Sequence, residues 1–141
     1  NMTYRELKDR QQKEIDSFPM MWAFSEKQLK EGMEKLGVKD MGELKAIAPS
    51  GFVRKTDYKA LWDLIHRHQQ ELKEAIEADK TGEGFIYDMF YTELANHEYS
   101  YTGDPTEALR ACSIQPLQIE QDPRLNKGFC KAAKELEAEA E

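Results

Sequence analysis

Cysteine is scarce in this sequence, with only Cys112 and Cys130 among 141 residues. Two thiols this far apart make neither a disulfide framework nor a four-ligand zinc site, and they suit a reducing compartment where both stay uncoupled. Long apolar runs are missing too. No stretch approaches the roughly 20 residues that span a bilayer, and the start lacks the apolar core of a signal peptide. A cytoplasmic protein without membrane contact is therefore expected. A nucleophile elbow, a phosphate loop, a cysteine–histidine metal pattern and a dinucleotide fingerprint are also absent, which removes the enzyme classes those motifs define and leaves no cofactor to expect.

What is present is charge. Charged residues make up 33% of the chain, hydrophobic residues 40%, and the net charge is -7, as in a soluble domain with a core and a solvated surface. The acid is unevenly shared: residues 1–60 carry 12 Lys/Arg against 10 Asp/Glu, and residues 61–141 carry 8 against 17. An acidic half repels phosphate backbones, so nucleic-acid binding is disfavoured unless the first 60 residues form a local basic face. The length fits one domain over residues 1–141. Asn1 ahead of Met2 reads as a cloning scar, and residues 137–141 as a fraying acidic tail.

Local signals predict most of the elements. Thr3 with Glu6 forms a capping-box pattern ahead of a first helix over about 4–17, and Ser25 with Gln28 opens a second that stops at Gly37. Asp40 with Glu43 repeats the signal, predicting a short third helix through Ala46. Residues 20–24 and 51–55, rich in aromatic and β-branched side chains next to breakers, predict a two-stranded antiparallel ribbon. From Asp57 to about Asp79 the apolar residues recur at helical spacing, predicting a continuous helix that buries Leu61, Trp62, Ile65, Leu72 and Ile76. Thr81 is placed to cap the next helix. Asp104–Pro105 and Asp122–Pro123 open two more. The expected fold is mainly helical α+β, with five to seven helices and the small ribbon.

Polar groups of chemical interest gather in the second half. His66 and His68 sit about 200° apart on their helix, so they cannot share one metal. His68 extends the apolar stripe of that helix, and His97 extends the stripe of the next, with Glu93 one turn before it. If the two helices form a hairpin about Thr81, the histidines stand at similar heights, and His68, Glu93 and His97 meet in the seam. A buried polar network is the first reading of this cluster, and a metal or general acid–base site the rival. Tyr99 and Tyr101 border it, and together with Tyr87 and Tyr91 they suit a core edge or an interface. Arg54, Lys55 and Lys59 form a basic patch interrupted by Asp57.

FPMMWAFSEKQLKEGMEKLG near the start, GFVRKTD in the middle, and KTGEGFIYDMFYTELANHEYSYTGD followed by DPRL resemble a family of small proteins of unassigned activity from gut Firmicutes, their phages and their integrative mobile elements. The resemblance spans most of the chain and carries over no catalytic or binding residue. It implies a bacterial or phage cytoplasmic setting and an accessory role in a mobile element. The function expected is a non-catalytic module binding an as yet unknown protein partner. The alternatives are a metal-dependent or hydrolytic enzyme centred on His68, Glu93 and His97, and a nucleic-acid-binding regulator using residues 1–60.

Overall fold

In a computed structural model, residues 2–140 are described; Asn1 and Glu141, and with them the scar and the last residue of the expected tail, lie outside the described residues. The chain divides into two compact units, a larger one of Asn1–Gln11 with Glu71–Glu141 and a smaller one of Gln12–Gln70. The division falls inside two helices, α1 (Tyr4–Asp16) and α3 (Tyr58–Ala78).

The smaller unit is built on a three-stranded sheet. Strand β1 (Met21–Trp22) and strand β2 (Leu44–Ala48) flank β3 (Gly51–Arg54), both antiparallel to it, with Met21 opposite Phe52 and Lys45 opposite Val53. The two expected strands are there, and a third joins them where a short helix was predicted. The Asp40–Glu43 capping box does form, but it closes only a single 3-10 turn, Met41–Glu43. LKAIA then runs extended because β3 offers it a ladder; a five-residue segment gains more from that pairing than from one helical turn. Helix α2 (Glu26–Leu36) keeps its predicted ends: the Ser25 hydroxyl accepts from the Gln28 amide, and Gly37 closes the helix at φ 71°. Met21, Leu36, Val38 and Leu44 form its small core.

Within the larger unit, α4 (Phe85–Asn96) packs chiefly on α8 (Pro123–Glu139) and then on α6 (Thr106–Cys112), with the short helices α5 (Tyr99–Thr102) and α7 (Pro116–Gln121) between them in sequence. Eight α-helices thus stand among the described residues, against the five to seven expected; α5 and α7 are the short ones that apolar periodicity cannot register. Fourteen buried side chains make the core, from Tyr4 through Phe90 and Leu94 to Leu136. Phe90 meets Phe129 edge to face at 5.4 Å. Helix α8 extends into the acidic tail and ends at Glu139.

The central helix α3 runs as predicted, but its buried face differs. Leu61 is its only residue in the buried class, and Trp62 is 43% exposed. The reason is angular: Leu61, Ile65, Leu72 and Ile76 share an arc of about 60°, whose centre lies roughly 70° from Trp62. Apolar character put Trp62 on the stripe, and rotation places it on the flank.

Candidate functional site

The motif KTGEGF forms a turn whose fold depends on Asp79. Its carboxylate accepts four backbone amides, from Thr81 (3.1 Å), Gly82 (3.0 Å), Gly84 (3.1 Å) and Ile86 (3.0 Å). Burial raises the Asp79 carboxyl, but these four donors outweigh it and hold the group below its ordinary range. Asp79, not Thr81, therefore organises the start of α4, and Thr81 Oγ1 accepts only from the Glu83 amide. A glycine-spaced turn ahead of a helix could cradle an anion; here the chain supplies its own.

The DPRL motif closes on the same turn. Arg124 Nη1 donates to the carbonyls of Ile76 (2.9 Å) and Asp79 (2.6 Å), where α3 ends, and its Nη2 bonds Asp122 at 3.0 Å. Gly82 sits against the Arg124 backbone at φ 86°, so a Cβ there would lie 2.2 Å from the Arg124 carbonyl oxygen. A Cβ on Gly128 would meet the Gly82 carbonyl at 2.5 Å. Two motifs some 40 residues apart in the sequence are thus one structural clamp, assembled by close backbone approach.

Glu93 is the buried carboxylate of the larger unit, 8% exposed. It accepts from the Tyr4 hydroxyl and from Asn96 Nδ2 (3.3 Å), while His97 Nε2 stands 3.8 Å away, beyond hydrogen-bond length. Burial, then the bond to Glu93, push the Tyr4 phenol far above its ordinary range, so it remains a donor at neutral pH. Burial and then the Glu93 charge push the neighbouring Cys112 thiol up to about 12. A protonated thiol is a poor nucleophile, so Cys112 acts as a core residue. Both cysteines are free.

The expected cluster is distributed as follows. Glu93 and His97 approach each other in the larger unit. Tyr99 donates to Glu137 at 3.2 Å, and Tyr101 is 91% exposed. His68 belongs to the smaller unit, where its Nε2 meets Glu14 Oε1 at 3.0 Å; the other oxygen of Glu14 takes Arg67 Nη2 at 2.7 Å. Arg67, through its hydrogen bond, and then His68 hold the Glu14 carboxyl below its ordinary range.

Tyr99 is part of a pattern. Tyr87 donates to Glu135, and Tyr91 to Glu139 at 2.8 Å, so three phenols from α4 and α5 end on carboxylates of the last two turns of α8. The bond to Glu135, helped by burial, pushes the Tyr87 phenol up to about 12. Sequence reading placed these tyrosines at a core edge but missed their partners, along with Tyr4 and Arg124. Apart from Asp122, two residues before Arg124, each partner lies 38 or more positions away, save in the Asp79 turn, where an aspartate just ahead of T-G-E-G was the available signal.

Two members of the basic patch are paired within the chain: Arg54 donates to the Leu36 carbonyl (3.1 Å) and to Asp57 (2.7 Å), and Lys59 pairs with Asp63 (2.8 Å). Next to it on α3, Tyr58, Trp62 and His66 follow one another along one row, Tyr58 edge to face with Trp62 at 6.1 Å and Trp62 tilted against His66 at 5.8 Å, and Lys45 Nζ lies 5.4 Å from the Tyr58 ring centroid.

The fold is a mainly helical α+β one, and no helix among the described residues is long and apolar enough to cross a membrane. The chain belongs to the family of unknown function DUF7659, whose profile matches residues 3–135. No curated protein and no solved structure matches it.

Proposed function

We propose that this protein is a non-catalytic protein-interaction module, folding as one domain in the cytoplasm and serving a phage or mobile element as an accessory factor. The observation that carries the reading is the exposure of large aromatics in the smaller unit: Phe24 is 74% exposed, Trp22 50%, and Trp62, in a row with half-buried Tyr58 and with His66, 43%. Aromatic side chains left in water at such density are characteristic of protein interfaces. Two further observations support it. Glu93 already holds the Tyr4 and Asn96 donors, as a register-fixing network does, and the Arg54 and Lys59 cations are turned to internal partners rather than to a phosphate backbone. The bacterial and phage setting comes from the motif resemblance described above.

The rival enzyme reading draws on the approach of His97 to the buried Glu93 and on His68. Affinity capture from a native host, with metal analysis of the same purified protein, separates the two. The interaction reading expects a stoichiometric protein partner and a blank metal trace. Stoichiometric zinc or iron lost in both His68→Ala and His97→Ala establishes the enzyme instead. Retention of a labelled single-stranded oligonucleotide at physiological salt would favour the nucleic-acid regulator.

A further inference from the structure

Of the fourteen core side chains of the larger unit, thirteen come from residues 86–136, and Tyr4 alone reaches in from α1. That core closes through α4, α6, α7 and α8, and the start of α1 lies over it as a cover. Beneath the cover is Glu93, the one buried carboxylate among the described residues, whose Oε2 takes the Tyr4 hydroxyl. Beside it is the buried thiol of Cys112, near enough to Glu93, Tyr4 and Lys8 to interact electrostatically with all three.

Three features make this cover separable from the core. Apart from Tyr4 and Leu7, its ties to α4 come from Arg5, whose amide and guanidinium bond Asp88 (3.3 and 3.4 Å) and whose Nε bonds Thr92 (3.1 Å). The Arg5 side chain is mostly exposed, and such a pair competes with water and holds weakly. Glu93, moreover, is not stripped of partners when Tyr4 leaves: its Oε1 faces Asn96 Nδ2 (3.3 Å) and His97 Nε2 (3.8 Å), both from the end of α4 itself. Lastly, a cleft of about 430 Å³ lined by Met2, Ala75, Ala78, Lys80 and Phe85 opens beside the Phe85 ring on which Tyr4 packs edge to face at 5.8 Å. Solvent therefore already stands at the rim of the cover. The next turn is fixed separately, since Arg10 (2.7 Å) and Gln11 (3.1 Å) both bond Glu71 of α3, and this sets where a release would end.

We infer that residues 4–8 of α1 form a strap that releases from α4 without unfolding of the larger unit and uncovers Glu93 and Cys112 together. A segment with two apolar anchors and exposed polar ties opens below the free energy of global unfolding. The strap is independent of whether the exposed aromatics of the smaller unit bind a protein.

Thiol labelling of the full chain in a Cys130→Ser background tests it, with Cys112 modification compared with amide exchange of α4. Cys112 is expected to become accessible roughly tenfold or more as often as the slowest α4 amides, and with a shallower denaturant dependence because little surface is exposed. Tyr4→Phe removes the bond to Glu93 and should raise the Cys112 rate about fivefold or more. Phe129→Leu, which weakens the core contact with Phe90, should speed the α4 amides and leave Cys112 unchanged. Should that variant fail to fold, the denaturant slopes of the Cys130→Ser chain decide. A Cys112 rate that equals α4 opening and carries the full unfolding slope overturns the strap, as does one that Tyr4→Phe leaves unchanged or that Phe129→Leu raises along with the α4 amides.

Discussion

The two units make unequal use of the same kinds of side chain. In the larger one, 14 buried residues form the core, and Tyr87, Tyr91 and Tyr99 put their rings against it while their hydroxyls end on carboxylates; Tyr101 alone of the α4 and α5 tyrosines stands in water. The smaller unit has a core of four buried residues and leaves Trp22, Phe24, Met41 and Trp62 in water. The larger unit thus sets most of its aromatics against its own core, and the smaller one leaves several of its large aromatics in water. Aromatic content alone does not distinguish the two environments; the neighbours of each ring do.

Paired substitutions test this contrast most directly. Phe90, fully buried against Phe129, should cost about 3 to 5 kcal/mol on replacement by Ala, whereas Trp62→Ala should cost less than about 1 kcal/mol, both read by denaturant unfolding. Equal losses would end the distinction. Gly82→Ala combines a left-handed backbone with a clash against the Arg124 carbonyl and should destabilise by about 3 kcal/mol, while the same change at Gly37, which has open space around it, costs only the backbone strain. Tyr4→Phe removes a donor from buried Glu93 and should cost about 1 to 3 kcal/mol, with thermal unfolding as the readout.

Smaller effects appear at the extremes of pH. The folded state holds Asp79 below its ordinary value of 3.8, so the stability it contributes is complete above that value and is lost as pH falls through the lower folded one. Asp79→Asn should flatten the acid limb of the stability profile below about pH 4. Tyr87 has the opposite sign: its folded value of about 12 lies above the ordinary 10, so its contribution is complete below pH 10 and disappears as pH rises toward 12. Tyr87→Phe should weaken the alkaline dependence and leave the acid limb alone. Calorimetry tests the single-domain reading, since α1 and α3 each belong to both units: one cooperative transition is expected, and two resolved transitions would separate the units.

By itself, the sequence determined what is settled within about one helical turn. The Thr3–Glu6 capping box, the Ser25 cap, the Gly37 stop and the Asp122–Pro123 start all form as read, because each is a hydrogen bond or a φ angle within four residues. The length of α3 was legible from its period, and the Asp79 turn was within reach of local reasoning, though the cap was assigned to Thr81. Only the tertiary structure decided the rest. LKAIA is a strand because β3 lies beside it, and Glu93 finds its donor 89 positions away at Tyr4, whereas the flank position of Trp62 was already fixed by rotation per residue along α3. Local hydrogen bonding and rotation per residue are written in adjacent letters, whereas burial and long-range pairing depend on which surface arrives opposite, and that is a property of the packed chain.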